Sequence, residues 1–268
     1  MSDPVDSDRN REHDLEPEWD PSVHRLPVWA TIREAVQAIA KEWKALLKAI
    51  AVPALGLAAV AVVTDREYLE GVFPSPPGYP GVLLPLFLPA LLSAPFATMI
   101  SVSCHRLVIL GVDSLPSAWG LFWSRRETRF LGWSALIAIP VGVVPILSAV
   151  LGSPLLMFLV LVPYSLYLVP RLSLVLPATA IGQRPTLKGS WRLSESNAGP
   201  LLLVMLLPSL LLGLLYRVGS LLLDGTAPQF LSAFIGVLVA VLSWVIGIAA
   251  LSKAFCWFTG EIEAKSPS

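Results

Sequence analysis

The chain has 268 residues, 55% of them hydrophobic and 14% charged, with no net charge at neutral pH. A soluble domain carries about 25% charged residues, so this composition excludes an ordinary water-soluble globule and suits a chain that exposes its surface to lipid. The balanced charge gives no reason to expect nucleic acid as a partner.

Residues 1–26 are polar and acidic. They cannot bury enough apolar surface to offset chain entropy and are expected to form a disordered cytoplasmic tail. No basic segment followed by an apolar one opens the chain, so a cleaved signal peptide is not expected. From Thr31 the pattern becomes helical. Ile32, Ala35, Val36, Ile39, Trp43, Leu46 and Leu47 recur on one face, with Arg33, Glu34, Gln37, Lys41, Lys44 and Lys48 on the rest. Thr31-x-x-Glu34 reads as a capping box, and the whole as a helix lying in the membrane interface.

Six apolar runs follow: Ala45–Val63, Val82–Val102, Phe130–Leu151, Pro154–Val169, Leu201–Leu223 and Phe230–Phe258. Most reach the ~19–20 residues needed to cross a ~30 Å hydrocarbon core. The fourth is short, so its helix is expected to continue through Arg171 toward Leu176, with the guanidinium snorkelling to the headgroups. The expected organisation is a six-helix transmembrane domain over residues 27–260, with a short cytoplasmic tail at 261–268. Seventeen of the nineteen lysines and arginines fall in alternate gaps or at the two ends, leaving Arg66 and Arg217 on the other side. By the positive-inside rule both termini face the cytoplasm.

Each of the inner segments carries a similar hexad: Thr31–Val36, Ser114–Trp119 and Thr186–Trp191. The pattern is hydroxyl, aliphatic, two variable residues, small, large apolar. A proline within the next run follows at 22, 26 and 22 residues, as Pro53, Pro140 and Pro208. Hydroxyl residues are good helix N-caps, so each hexad reads as the start of a cytoplasmic interfacial amphipathic helix. The fold class expected is therefore an all-α membrane protein of three hairpins, each entered through such a helix. Trp43, Trp119, Trp123, Trp133 and Trp191 suit the headgroup level.

The run from Arg171 to Gly182, followed by Gly189-Ser-Trp-Arg-Leu-Ser-Glu-Ser-Asn197, resembles the membrane domain found beside bacterial glycerophosphoryl diester phosphodiesterases. Related six-helix bacterial membrane proteins share an S-W-x-L-x-x-x-N segment ahead of a membrane helix. The stretches His105–Gly111 and Arg125–Phe130 are similar to segments of the same family. The resemblance implies architecture and a bacterial cytoplasmic membrane. It does not imply hydrolysis, since the chain has no room for the catalytic barrel and lacks its acidic and histidine cluster.

Cys104-His105-Arg106 is the densest reactive trio, and it reads better as a headgroup-facing helix end than as a nucleophile or metal site. No ionisable acid or histidine falls mid-run, where coupled transporters place them. Neither a cofactor nor a metal is expected, and Cys104 and Cys256 read as small hydrophobes. The residues assigned to lipid-headgroup or partner contact are Arg106, Arg125, Arg126, Arg129, Arg171, Lys188 and Arg192. The partners expected are the lipid bilayer, its anionic headgroups, and a membrane-protein partner or second copy. The leading functional expectation is a non-enzymatic membrane scaffold or lipid-interacting protein. Eight intramembrane prolines keep a second open, a transporter or channel for a lipid-like or apolar solute. The third is an intramembrane enzyme.

Overall fold

Helix α1 (Val28–Lys41) leads within one residue into α2 (Trp43–Val63), and α3 (Leu83–Leu110) and α4 (Arg125–Val150) follow. Helix α5 (Pro154–Pro163) passes through a π-helical turn, Tyr164–Leu168, into α6 (Val169–Ser173) and α7 (Val175–Ala180). Helices α8 (Leu187–Leu193), α9 (Ala198–Leu222) and α10 (Gln229–Phe258) complete the order. The computed structural model describes residues 25–64, 83–115, 122–222 and 229–260, and among these every regular element is helical. The acidic segment to residue 24, most of the first and third outer loops, Pro116–Trp119 and the C-terminal tail lie outside the described residues.

Six spans are long and apolar enough to cross a membrane: Trp43–Ala61, Leu88–Leu110, Arg125–Ser148, Leu155–Ala180, Ala198–Leu221 and Ile235–Phe258. The chain is an integral membrane protein of the all-α class. The fourth span does run on past Arg171, and its π turn has a local cause. Pro163 and Pro170 flank it, and each withholds the N–H its helix would use. The register slips by one residue, so that Val169 N–H reaches Tyr164 O. Tyr164 Oη then donates to Ile137 O at 2.6 Å and ties the turn to α4.

Packing is uneven along the spans. The main core gathers Ala35 and Ile39 of α1, Leu46 and Ile50 of α2, Cys104 and Leu107 of α3, Leu201 and Val204 of α9, and Ala249 to Phe258 of α10. All lie toward the end that α1 covers. Toward the other end, Leu155, Leu159, Leu214, Leu215, Val237 and Leu238 are exposed. In lipid an exposed leucine loses nothing, so association relies on close packing and polar contacts. Gly56 shows this: a Cβ there would stand 2.3 Å from the Phe96 ring, so α2 and α3 approach through the missing side chain.

Two capping expectations change. Helix α1 begins at Val28, after Pro27, which has no side-chain acceptor with which to cap it. Thr31 is therefore inside the helix, donating Oγ1 to Pro27 O at 2.9 Å, and no capping box forms with Glu34. The box forms instead at Ser124-x-x-Glu127, where Ser124 N–H donates to Glu127 Oε2 at 2.8 Å and starts α4 five residues ahead of the apolar run. Thr186 does cap α8, accepting Gly189 N–H at 3.0 Å. Ser114 ends a single 3₁₀ turn, Val112–Ser114.

Gly56→Leu is expected to lower the unfolding midpoint of the detergent-solubilised protein, at a cost of about 1–3 kcal/mol from overpacking. Gly213→Ala, where an added methyl meets nothing within 4 Å, should hold or raise it. Equal midpoints for the two variants would show that α2 and α3 do not depend on the Gly56 contact.

Candidate functional site

Fourteen of the fifteen described lysines and arginines lie toward the α1-covered end, with five described acids, Glu34, Glu42, Asp113, Glu127 and Glu195. This basic end is the polar surface on which any site must be built. The structure separates its cations into two kinds.

The first kind is spent inside the protein. Arg171 is only 2% exposed. Its Nη1 donates to Tyr167 Oη at 2.8 Å and its Nη2 to Glu195 O at 3.0 Å. Its guanidinium lies 4.0 Å from the Trp191 ring centroid and 5.0 Å from that of Tyr167. The expectation that Arg171 reaches the headgroups is thereby corrected. Two aromatic faces and a carbonyl solvate the charge within hydrogen-bonding reach, so extension to water gains nothing. Arg106 donates twice to Ser114 O, at 2.9 and 2.7 Å, and folds the end of α3 back on itself. Arg126 pairs with the buried Glu127 at 3.1 Å.

Arg171 also anchors the segment from Ser190 to Asn197. Ser190 Oγ donates to Arg171 O, and Trp191 lies under the guanidinium. Ser194 Oγ donates to Ser190 O at 2.9 Å. Asn197 Oδ1 accepts Leu26 N–H at 2.8 Å, across 171 residues of sequence. These side chains form a latch: α6 holds α8, and the turn after α8 holds the start of α1.

The second kind is unspent. Arg125, Arg129, Lys188 and Arg192 are exposed, and among the described residues none has an ion-pair or hydrogen-bond partner for its side chain. Arg184 joins them. Although its position among the inner-loop cations was legible, nothing in the sequence distinguished it from them. An open groove of about 610 Å³ runs between α4 and the end of α7, with Arg129, Trp133 and Leu136 on one side and Gln183 and Arg184 on the other. A second, of about 460 Å³, is bounded by Glu34 and Lys41 of α1, Glu42 after it, Gly111 after α3, and Lys253. Its charges are mixed, and it selects for neither sign.

Two of the reactive trio, Cys104 and His105, face inward, contrary to the headgroup-facing expectation, while Arg106 is partly exposed. Cys104 is fully buried with Sγ 3.6 Å from Val245 O, and His105, 1% exposed, packs 5.8 Å from the Phe130 ring. The structure also pairs His105 with a hydroxyl, which the sequence did not reveal: Nδ1 lies 2.7 Å from Ser252 Oγ. Ser252 is itself wholly buried and donates to Ile248 O at 2.9 Å. The pair bonds α3 to α10 within the packed interior.

No protein-family model, curated protein or solved structure matches the chain.

Asn197→Ala is expected to leave the buried Leu26 N–H unpaired and cost about 1–3 kcal/mol. Hydrogen exchange should rise in Val28–Lys41 and leave α2 and α3 unchanged. Unaltered protection of α1 would refute the latch.

Proposed function

We propose that this chain is a non-enzymatic membrane scaffold of a bacterial cytoplasmic membrane. Its basic end faces the cytoplasm and engages anionic lipid headgroups. The observation that carries the reading is the division of the cations. Those that fold the protein are paired internally, while Arg125, Arg129, Arg184, Lys188 and Arg192 remain exposed and unpaired at one end. Cationic side chains held at membrane depth contribute about 1 kcal/mol each near an anionic leaflet. The positive-inside rule turns the same asymmetry into an orientation.

Helix α1 supports the reading. One face packs on α9 and α10 through Thr31, Ala35 and Ile39. Its outer surface and the start of α2 expose Trp29, Val36, Trp43 and Leu47 beside Arg33, Lys41 and Lys44. Exposed indoles among cations suit the headgroup layer, where one side of the ring is wet and the other apolar.

In nanodiscs of mixed phosphatidylcholine and phosphatidylglycerol, the protein should enrich phosphatidylglycerol around itself. About 0.5 M salt should reduce that enrichment, since the Debye length then falls below ~5 Å. Equal proportions of the two lipids at the protein surface would overturn the lipid-binding part. A C-terminal fluorescent-protein fusion should fold and fluoresce; an active C-terminal alkaline phosphatase fusion instead would reverse the orientation.

A further inference from the structure

We propose that the groove between α4 and the end of α7 binds one anionic glycerophospholipid. Its phosphodiester lies between Arg129 and Arg184, and its first acyl carbons follow Gly132 and Leu136. This rests on the reading of the basic end as lipid-facing, and goes further by naming a single site and its ligand class.

One wall is a stripe of α4. Arg129, Gly132, Trp133 and Leu136 recur at helical spacing on one face. From Arg129 to Leu136 the helix rises about 10 Å, enough to pass from a headgroup layer of roughly 5–8 Å per leaflet into hydrocarbon. Below Leu136 the stripe continues as the exposed Ile139 and Val143. The groove therefore opens onto an apolar track along the span, as an acyl chain requires and a free phosphate does not.

The other wall is set by a glycine stop. Gln183 N–H donates to Ala178 O and Gly182 N–H to Thr179 O, both at 3.0 Å, with Gly182 at φ 90°. This is a Schellman closure, and it needs the left-handed conformation that glycine adopts without strain. It turns the chain sharply at the end of α7 and brings Gln183 and Arg184 over the groove.

The chemistry of the occupant follows. Two unpaired guanidiniums face a space of about 610 Å³, within the range of small-molecule sites. A phosphodiester carries one negative charge, so two arginines leave a positive surplus. A headgroup with its own cation is disfavoured, and a net anionic one is favoured. Guanidinium is the side chain best matched to phosphate oxygens. Gly132 leaves room for the ligand: a Cβ built there meets nothing within 4 Å.

Native mass spectrometry of the full chain in detergent, titrated with phosphatidylglycerol, phosphatidylcholine or inorganic phosphate, tests the site. One phosphatidylglycerol per chain should be retained more strongly than phosphatidylcholine. Gly132→Leu fills the groove without changing charge and should weaken that lipid about tenfold or more, as should Arg129→Gln with Arg184→Gln. Gly213→Leu, the same insertion at an open glycine of α9, should not. Wild-type retention in both groove variants would overturn the site. So would displacement of the lipid by millimolar inorganic phosphate, which would make free phosphate the ligand. If Gly132→Leu leaves the bound lipid unchanged while the protein still enriches phosphatidylglycerol in nanodiscs, only this site falls. If the wild-type protein shows no anionic preference at all, the broader reading falls with it.

Discussion

A buried guanidinium without a carboxylate organises the basic end of this protein. Arg171 has Nη1 on a phenol, Nη2 on a backbone carbonyl and its face on an indole, while its buried Nε has no partner. A charge in that position is costly unless its surroundings are fixed, so Tyr167, Trp191 and Glu195 must all be in place. Helix α8 is too short to be stable alone. It is held because Arg171 grips its indole and Ser190 bonds back to the Arg171 carbonyl. The turn that follows places Asn197 to receive Leu26 N–H, so the residues leading into α1 are tied to the fourth span's latch through one side chain.

The same end holds most of the packed interior, and lipid explains why. Toward the far end the helices contact a solvent as apolar as their own side chains, and there is little to gain by burying leucine. Toward the basic end the polar side chains must be satisfied within the protein or in water. The pairs His105–Ser252 and Arg126–Glu127, with the Arg171 latch, satisfy them, and close-packed residues of α1, α3 and α10 fill the same end. Structure and polarity therefore concentrate in the same place. The groove lies at the margin of that region, where internal pairing ends and unpaired arginines begin.

Much of the architecture was legible in the residues. The runs located the spans, because a hydrocarbon layer accepts only a narrow range of lengths and few charges. Helix boundaries were less legible. Leu83–Leu110 outlasts its apolar run because a membrane helix continues through the headgroups. Arg125–Val150 starts early because Ser124 and Glu127 cap it, a signal present in the sequence as S-x-x-E. Thr31-x-x-Glu34 has the same signature, but Pro27 upstream begins the helix first.

Residue types determined that this chain spans a membrane six times and that its cations collect at alternate ends of those spans. Hydropathy and charge act through the solvent, which reads each segment separately, so one dimension is enough. Which cations face outward could be decided only in three dimensions. Arg171 and Arg184 look alike in the sequence, each an arginine near the end of the fourth span. One is enclosed by a phenol 4 residues away and a backbone carbonyl 24 residues away, and the other is turned out by the left-handed glycine at 182. A guanidinium's role depends on what its neighbours leave unsatisfied, and neighbours are assigned by tertiary packing.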